Sequence, residues 1–188
     1  MLRDWHDWFA TISGVVALTV LALPVAALVV WALARRRGGW RRPVAEVGIV
    51  YGTAPWVWMI LLPAHGAGED RVNLVPLRDL IDVVTGGPLT ATVQIAGNLL
   101  VFAALGFFGP VRFAALASVP RVLALGALCS VLVETLQYVL RLDRVSSVDD
   151  VLLNAAGAGL AALASRRWWQ KSGAALDFRR YRAGAAAD

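Results

Sequence analysis

Residues 122–140 read VLALGALCSVLVETLQYVL, an apolar run of nineteen residues whose only charged side chain is Glu134. A helix rises about 1.5 Å per residue, so this run is long enough for a hydrocarbon core about 30 Å thick. Four other runs share its character: residues 12–34, 44–62, 89–111 and 151–165. The fifth is the shortest. It spans only if Arg166 and Arg167 snorkel while Trp168 and Trp169 anchor at the interface; a re-entrant segment is the alternative there. The pattern predicts an all-α integral membrane bundle of five transmembrane helices.

Composition supports this class. The 188 residues are 59% hydrophobic and 16% charged, whereas a soluble domain averages about 45–50% apolar and about 25% charged. The excess lies in runs, as in membrane helices. The run at 12–34 holds Pro24, where a kink is expected. Arg35, Arg36 and Arg37 follow it directly, and the run is too long for a cleaved leader, so it reads as a retained helix. The chain divides into an N-terminal helix with a basic loop (1–43), a bundle (44–169) and a basic tail (170–188). Cys129 is the sole cysteine, which rules out an intrachain disulfide and a cysteine zinc site. His6 and His65 have no metal-ligand spacing. No metal site and no cofactor motif is expected.

The net charge of +5 could suggest nucleic acid, but the arginines flank apolar runs, where they set orientation and meet anionic lipid. With the N-terminus outside, Arg3, Arg71, Arg78, Arg141 and Arg144 face outward, and the other thirteen of the eighteen Lys and Arg residues face inward. That bias favours N-out, C-in.

In this threading, embedded polar residues gather toward the outer side. Asn98 lies roughly 9 Å into the third helix, with Gln94 on its face, and Glu134 lies at a similar depth in the fourth. Gln137 and Arg141 continue the Glu134 stripe. Asn154 follows Asp150 by one turn in the fifth helix. The preceding loop adds Arg144, Ser146, Ser147, Asp149 and Asp150. Polar groups inside a membrane are costly and tend to mark working sites, but a lone Asn is often interhelical glue. A carboxylate such as Glu134 needs a partner there, for which Arg141 or Arg144 could serve, or else a proton. An outward-open polar pocket and a closed structural network both remain open.

The loop at residues 63–88 is long enough to suggest function. Pro76 biases Val75 to extended backbone. Leu77, Leu80, Ile81 and Val84, with Arg78, Asp79 and Asp82 between them, predict a short amphipathic helix lying in the membrane interface over the polar cluster.

Taken in order, Asn73-Leu74-Val75-Pro76, Gly97-Asn98-Leu99-Leu100-Val101-Phe102 with Gly106, Glu134-x-x-Gln137, Arg144 with Val148-Asp149-Asp150-Val151, and Asn154-x-x-Gly157 resemble the VanZ-like family. The likeness covers residues 71–164. Leu77 departs from an aromatic that many members have there, and Ser147 from an acidic residue. The resemblance implies a multi-pass protein of the bacterial cell membrane. The family's named member is associated with lowered susceptibility to glycopeptide antibiotics such as teicoplanin, especially lipid-tailed ones.

The expected activity is therefore binding at the outer leaflet. Asn73, Pro76, Asn98, Glu134, Gln137, Arg144, Asp149, Asp150 and Asn154 would line a pocket for a lipid head group, a lipid-linked cell-wall precursor or a glycopeptide antibiotic. Two alternatives stand beside it. One is a membrane enzyme with Glu134 as acid or base and Asp149 and Asp150 holding a cation; its catalytic candidates are Glu134 and Asp150. The other is an accessory subunit whose polar cluster is structural and whose small-residue stretch at 155–159 suits close packing, against a partner or within the bundle.

Overall fold

The computed structural model describes residues 12–63, 72–142 and 145–170. The main helices in these segments are α1 (Ile12–Arg37), α2 (Arg41–Ile60), α3 (Arg78–Thr85), α4 (Pro88–Val101), α5 (Ala103–Arg112), α6 (Val119–Val139) and α7 (Val148–Ala164). Three stretches are long and apolar enough to cross a membrane: Ser13–Arg37, Pro88–Arg112 and Val119–Val139. The second contains both α4 and α5, since the expected third span breaks at Phe102 (φ −111°, ψ 14°) and resumes at once. α2 is diluted by Glu46, Thr53, Pro55 and two tryptophans, and α7 has only 17 residues.

α1 and α2 are joined by three residues and run side by side, tied where the Tyr51 hydroxyl donates to the Thr19 carbonyl at 2.7 Å. The last turn of α1 is basic, which suits the partial negative charge of a helix C-terminus. α2 packs next on α5. α7 occupies the middle, against α4, α5 and α6.

Two glycines permit that placement. A Cβ on Gly157 would lie 1.9 Å from the Leu99 carbonyl oxygen, and one on Gly106 would lie 2.1 Å from that of Ala158. Backbone therefore meets backbone, as in small-residue membrane interfaces. The stretch at 155–159 packs within the chain. Its Ala158 belongs to a buried cluster with Val101, Phe102, Val122, Val133 and Ala162.

The all-α expectation needs one small amendment. Val72–Asn73 and Ser146–Ser147 form a parallel pair, β1 and β2, with Val72 opposite Ser146 and Asn73 opposite Ser147. Local periodicity carries no signal for strands of two residues. Beyond α7, Trp168 is exposed, whereas Trp169 is buried and its indole N–H donates to the Ala162 carbonyl.

Candidate functional site

The site grows from the β1–β2 pair, which carries the Asn73 loop to the start of α7. Asn73 organises its own turn: its Oδ1 accepts from the Val75 N–H at 3.1 Å and its Nδ2 donates to Asp79 Oδ1 at 2.6 Å. Pro76 then fixes the next bend. Arg78 N–H reaches back to the Val75 carbonyl, and Leu77 adopts φ 67°, ψ 0°. These are the third-position angles of a type II turn, where glycine is usual and leucine is strained.

That turn is held from α7. Buried Asp149 accepts from the Leu77 N–H at 2.6 Å through Oδ1 and from the Leu80 N–H at 3.0 Å through Oδ2. Leu77 is the N-cap position of α3 and has no capping side chain of its own. Asp149 supplies the cap from about seventy residues away, and its charge also suits the positive end of the helix. Ser147 in turn accepts from the Asp149 N–H and caps α7. α3 thus rests on α4 and α7, with Leu80 and Val83 half-buried and Leu77, Ile81 and Val84 exposed.

The other expected residues reach different neighbours. Asn98 donates to Asp150 Oδ1 at 2.5 Å, joining α4 to α7. Asn154 donates to Ser130 Oγ at 2.8 Å, joining α7 to α6; both residues are buried. Gln137, also buried, donates to the Ile60 carbonyl at 2.7 Å and so caps the C-terminal end of α2. Arg141 lies past the end of the Glu134 stripe. It sits at φ 52° in a Schellman turn, with its N–H on the Tyr138 carbonyl and the Leu142 N–H on that of Gln137. Gln94 is exposed and borders a cavity of about 10 Å³ with Asp79, Asp149 and Asp150. Arg144, His6, His65 and the tail from 171 lie outside the described residues.

Glu134 occupies a separate feature. It is half-buried on the wall of a groove of about 320 Å³ between the β pair, α6 and the start of α7. The remaining walls are Val72, Leu74, Val131, Thr135, Tyr138, Ser146, Ser147, Val148 and Val151. The groove is mostly apolar, and Leu74, Val131 and Tyr138 on its rim are exposed. Among the described residues, no group of three or more His, Cys, Asp or Glu side chains is arranged to hold a metal ion. Asp149 already gives both oxygens to backbone N–H groups.

Residues 49–169 match the family model described as VanZ/LLP1. The chain belongs to this family. No curated protein and no solved structure matches it. The VanZ/LLP1 segment begins within α2 and includes the β pair, the α3 clamp and the groove; α1 precedes it. With its apolar helices, this family marks the chain as a membrane protein.

Three participants were not read as site residues from the sequence. Ser130 lies one turn before Glu134, and seven residues before Gln137, on the same face, so stripe geometry alone could have found it. Asp79 looked like a solvated member of an amphipathic helix. Tyr138 joined the site only when the β pair closed the groove.

Proposed function

We propose that this VanZ/LLP1 protein binds an amphiphile of the cell envelope in the Glu134 groove, from the outer leaflet. The observation that carries this reading is the groove itself: apolar walls suited to a tail or sugar face, with one carboxylate and the Ser146 and Ser147 hydroxyls beside it. Polar groups set beside apolar walls favour an amphiphile that also bears an amine or several hydroxyls. A lipid-linked cell-wall precursor, an aminated head group and a lipid-tailed glycopeptide all have that chemistry, and diverting one of them would lower glycopeptide susceptibility. Asn73, Asn98, Asp149, Asp150 and Asn154 shape the site by holding α3 and α7.

Five crossings accommodate this reading. α2 packs against α1 and returns through a three-residue link, and α7 packs against α4, α5 and α6. The arginine bias then puts the N-terminus outside and α3 in the outer interface, with its exposed Leu77, Ile81 and Val84 against lipid.

The test is susceptibility of cells expressing wild type, Glu134→Gln or Val131→Trp, against a lipid-tailed glycopeptide and one without a tail. Protection by wild type, lost in both variants at equal membrane abundance, is expected. Equal protection by all three proteins sinks the groove. Impermeant-reagent labelling at Leu74→Cys in a Cys129→Ser background should occur from outside the cell, and labelling only after lysis reverses the orientation.

A further inference from the structure

The end of the bundle where α1 turns into α2 holds a second site. A basic pocket of about 690 Å³ is lined by Arg37, Arg41, Arg42, Arg112, Trp40 and Glu46. Glu46 is shared: Arg37 Nη1 and Arg112 Nε each approach one of its oxygens at 2.6 Å. Arg41 and Arg42 are exposed and have no acidic partner among the described residues. One carboxylate therefore faces four guanidinium groups, and the pocket is short of negative charge.

This pocket shares two lining residues with an apolar one. Trp40 and Arg41 also border a groove of about 420 Å³ whose other walls are Val44, Phe108, Val111 and Trp168. Trp168 is fixed edge-on against Phe107, with centroids 5.1 Å apart. A cationic cup at the end of two helices, adjoining an apolar groove across Trp40 and Arg41, matches one molecule: a head with a phosphate and a tail of hydrocarbon.

We infer that this end binds an anionic glycerophospholipid of the phosphatidylglycerol class, its phosphate on Arg41 and Arg42 and an acyl chain along Val44, Phe108 and Val111. The Arg37–Glu46–Arg112 triad holds the cup open and adds positive charge. Free phosphate would satisfy the cup alone. The adjoining apolar groove is what selects the lipid. This inference is independent of the Glu134 groove and of which face of the membrane the α1–α2 turn occupies.

The test uses the full chain in mild detergent, titrated with phosphatidylglycerol or phosphatidylcholine and read by native mass spectrometry. Wild type should retain phosphatidylglycerol in preference. Each arginine near an acidic lipid contributes about fivefold in affinity, so Arg41→Gln/Arg42→Gln should weaken retention about 25-fold. Arg41→Lys/Arg42→Lys should keep most of it, and Arg36→Gln, outside the pocket, all of it. Val44→Trp, which fills the apolar groove and leaves every charge in place, should also reduce retention, and it tests the inference should the double Gln variant fail to fold. Equal retention of both lipids overturns the inference. So does phosphatidylglycerol binding that survives both Arg41→Gln/Arg42→Gln and Val44→Trp. Full displacement by millimolar inorganic phosphate, with no effect of Val44→Trp, identifies a free-anion site and overturns it as well.

Discussion

α1 and α7 invert the rule that governs water-soluble proteins. α1 has the highest hydropathy of the three candidate spans among the described residues, yet only 6% of its most apolar eighteen residues is buried; Leu21 and Leu28 are exposed at 69% and 63%. α7 is shorter and carries Asp149, Asp150 and Asn154, yet it lies at the centre and buries Asp149, Asn154, Gly157, Ala158, Gly159 and Ala162. Lipid tails are as apolar as leucine, so hydrophobicity gives helices no reason to associate. Close backbone approach and polar contacts do. In this protein, hydropathy identifies membrane helices, whereas small and polar residues decide which of them sits inside.

The sharpest way to break the comparison is at Gly157. Its added Cβ would meet the Leu99 carbonyl, a backbone atom that cannot swing away. Gly157→Ala should cost about 3 kcal/mol as α4 and α7 are forced apart, measured as denaturant unfolding in detergent. Loss of less than a third of that would mean that α4 yields freely and that α7 is not the fixed centre.

Next is Asp149→Ala. It removes both acceptors from the start of α3 and leaves the Leu77 and Leu80 N–H groups without a cap. Hydrogen bonds to a charged group suggest a loss of about 2 kcal/mol, accompanied by proteolytic cutting within residues 72–88. Asp149→Asn keeps one acceptor and should retain part of the protection. Cutting that is unchanged in both variants would show that α3 is seated by its apolar contacts alone.

A smaller effect belongs to the Asn154–Ser130 pair. Double-mutant cycles of such hydrogen bonds within membrane proteins average about 0.6 kcal/mol and reach about 1.7. The cycle of Asn154→Val and Ser130→Ala should fall in that range. A coupling near zero would leave Gly157 as the main reason for α7's position.

These contrasts also explain what could be read from the sequence. The apolar runs, the Asn73–Pro76 turn, the amphipathic α3 and the embedded polar positions Asn98, Glu134, Asp150 and Asn154 are local patterns, visible in spacing and residue type. Their partners are not local. Asp149 bonds to N–H groups of residues 77 and 80, Gln137 to the carbonyl of residue 60, and Asn98 to residue 150. Those pairings depend on how loops return, which no window of sequence contains. A shared depth therefore suggested one polar cluster, while the fold directs Asn98, Asn154 and Gln137 to three different helices and leaves Glu134 on the groove. The break at Phe102 was equally hidden, since residues 89–111 are free of charge and have no proline near residue 102 to demand it.

The least effect is expected at Leu21, and it tests the comparison from the other side. In a soluble core, truncating a buried leucine costs about 2–5 kcal/mol because a cavity forms and transfer energy is lost. Leu21 faces outward from α1, so lipid surrounds its side chain both in the folded bundle and when α1 is separated within the bilayer. Neither term changes between those states. Leu21→Ala should alter unfolding in detergent by less than about 0.5 kcal/mol. A loss several times larger would mean that this face of α1 is covered in the membrane, and the remedy would be to look for a second chain against it. A matching loss of dimer in crosslinking of Leu28→Ala would then show that α1 serves assembly and α7 the interior.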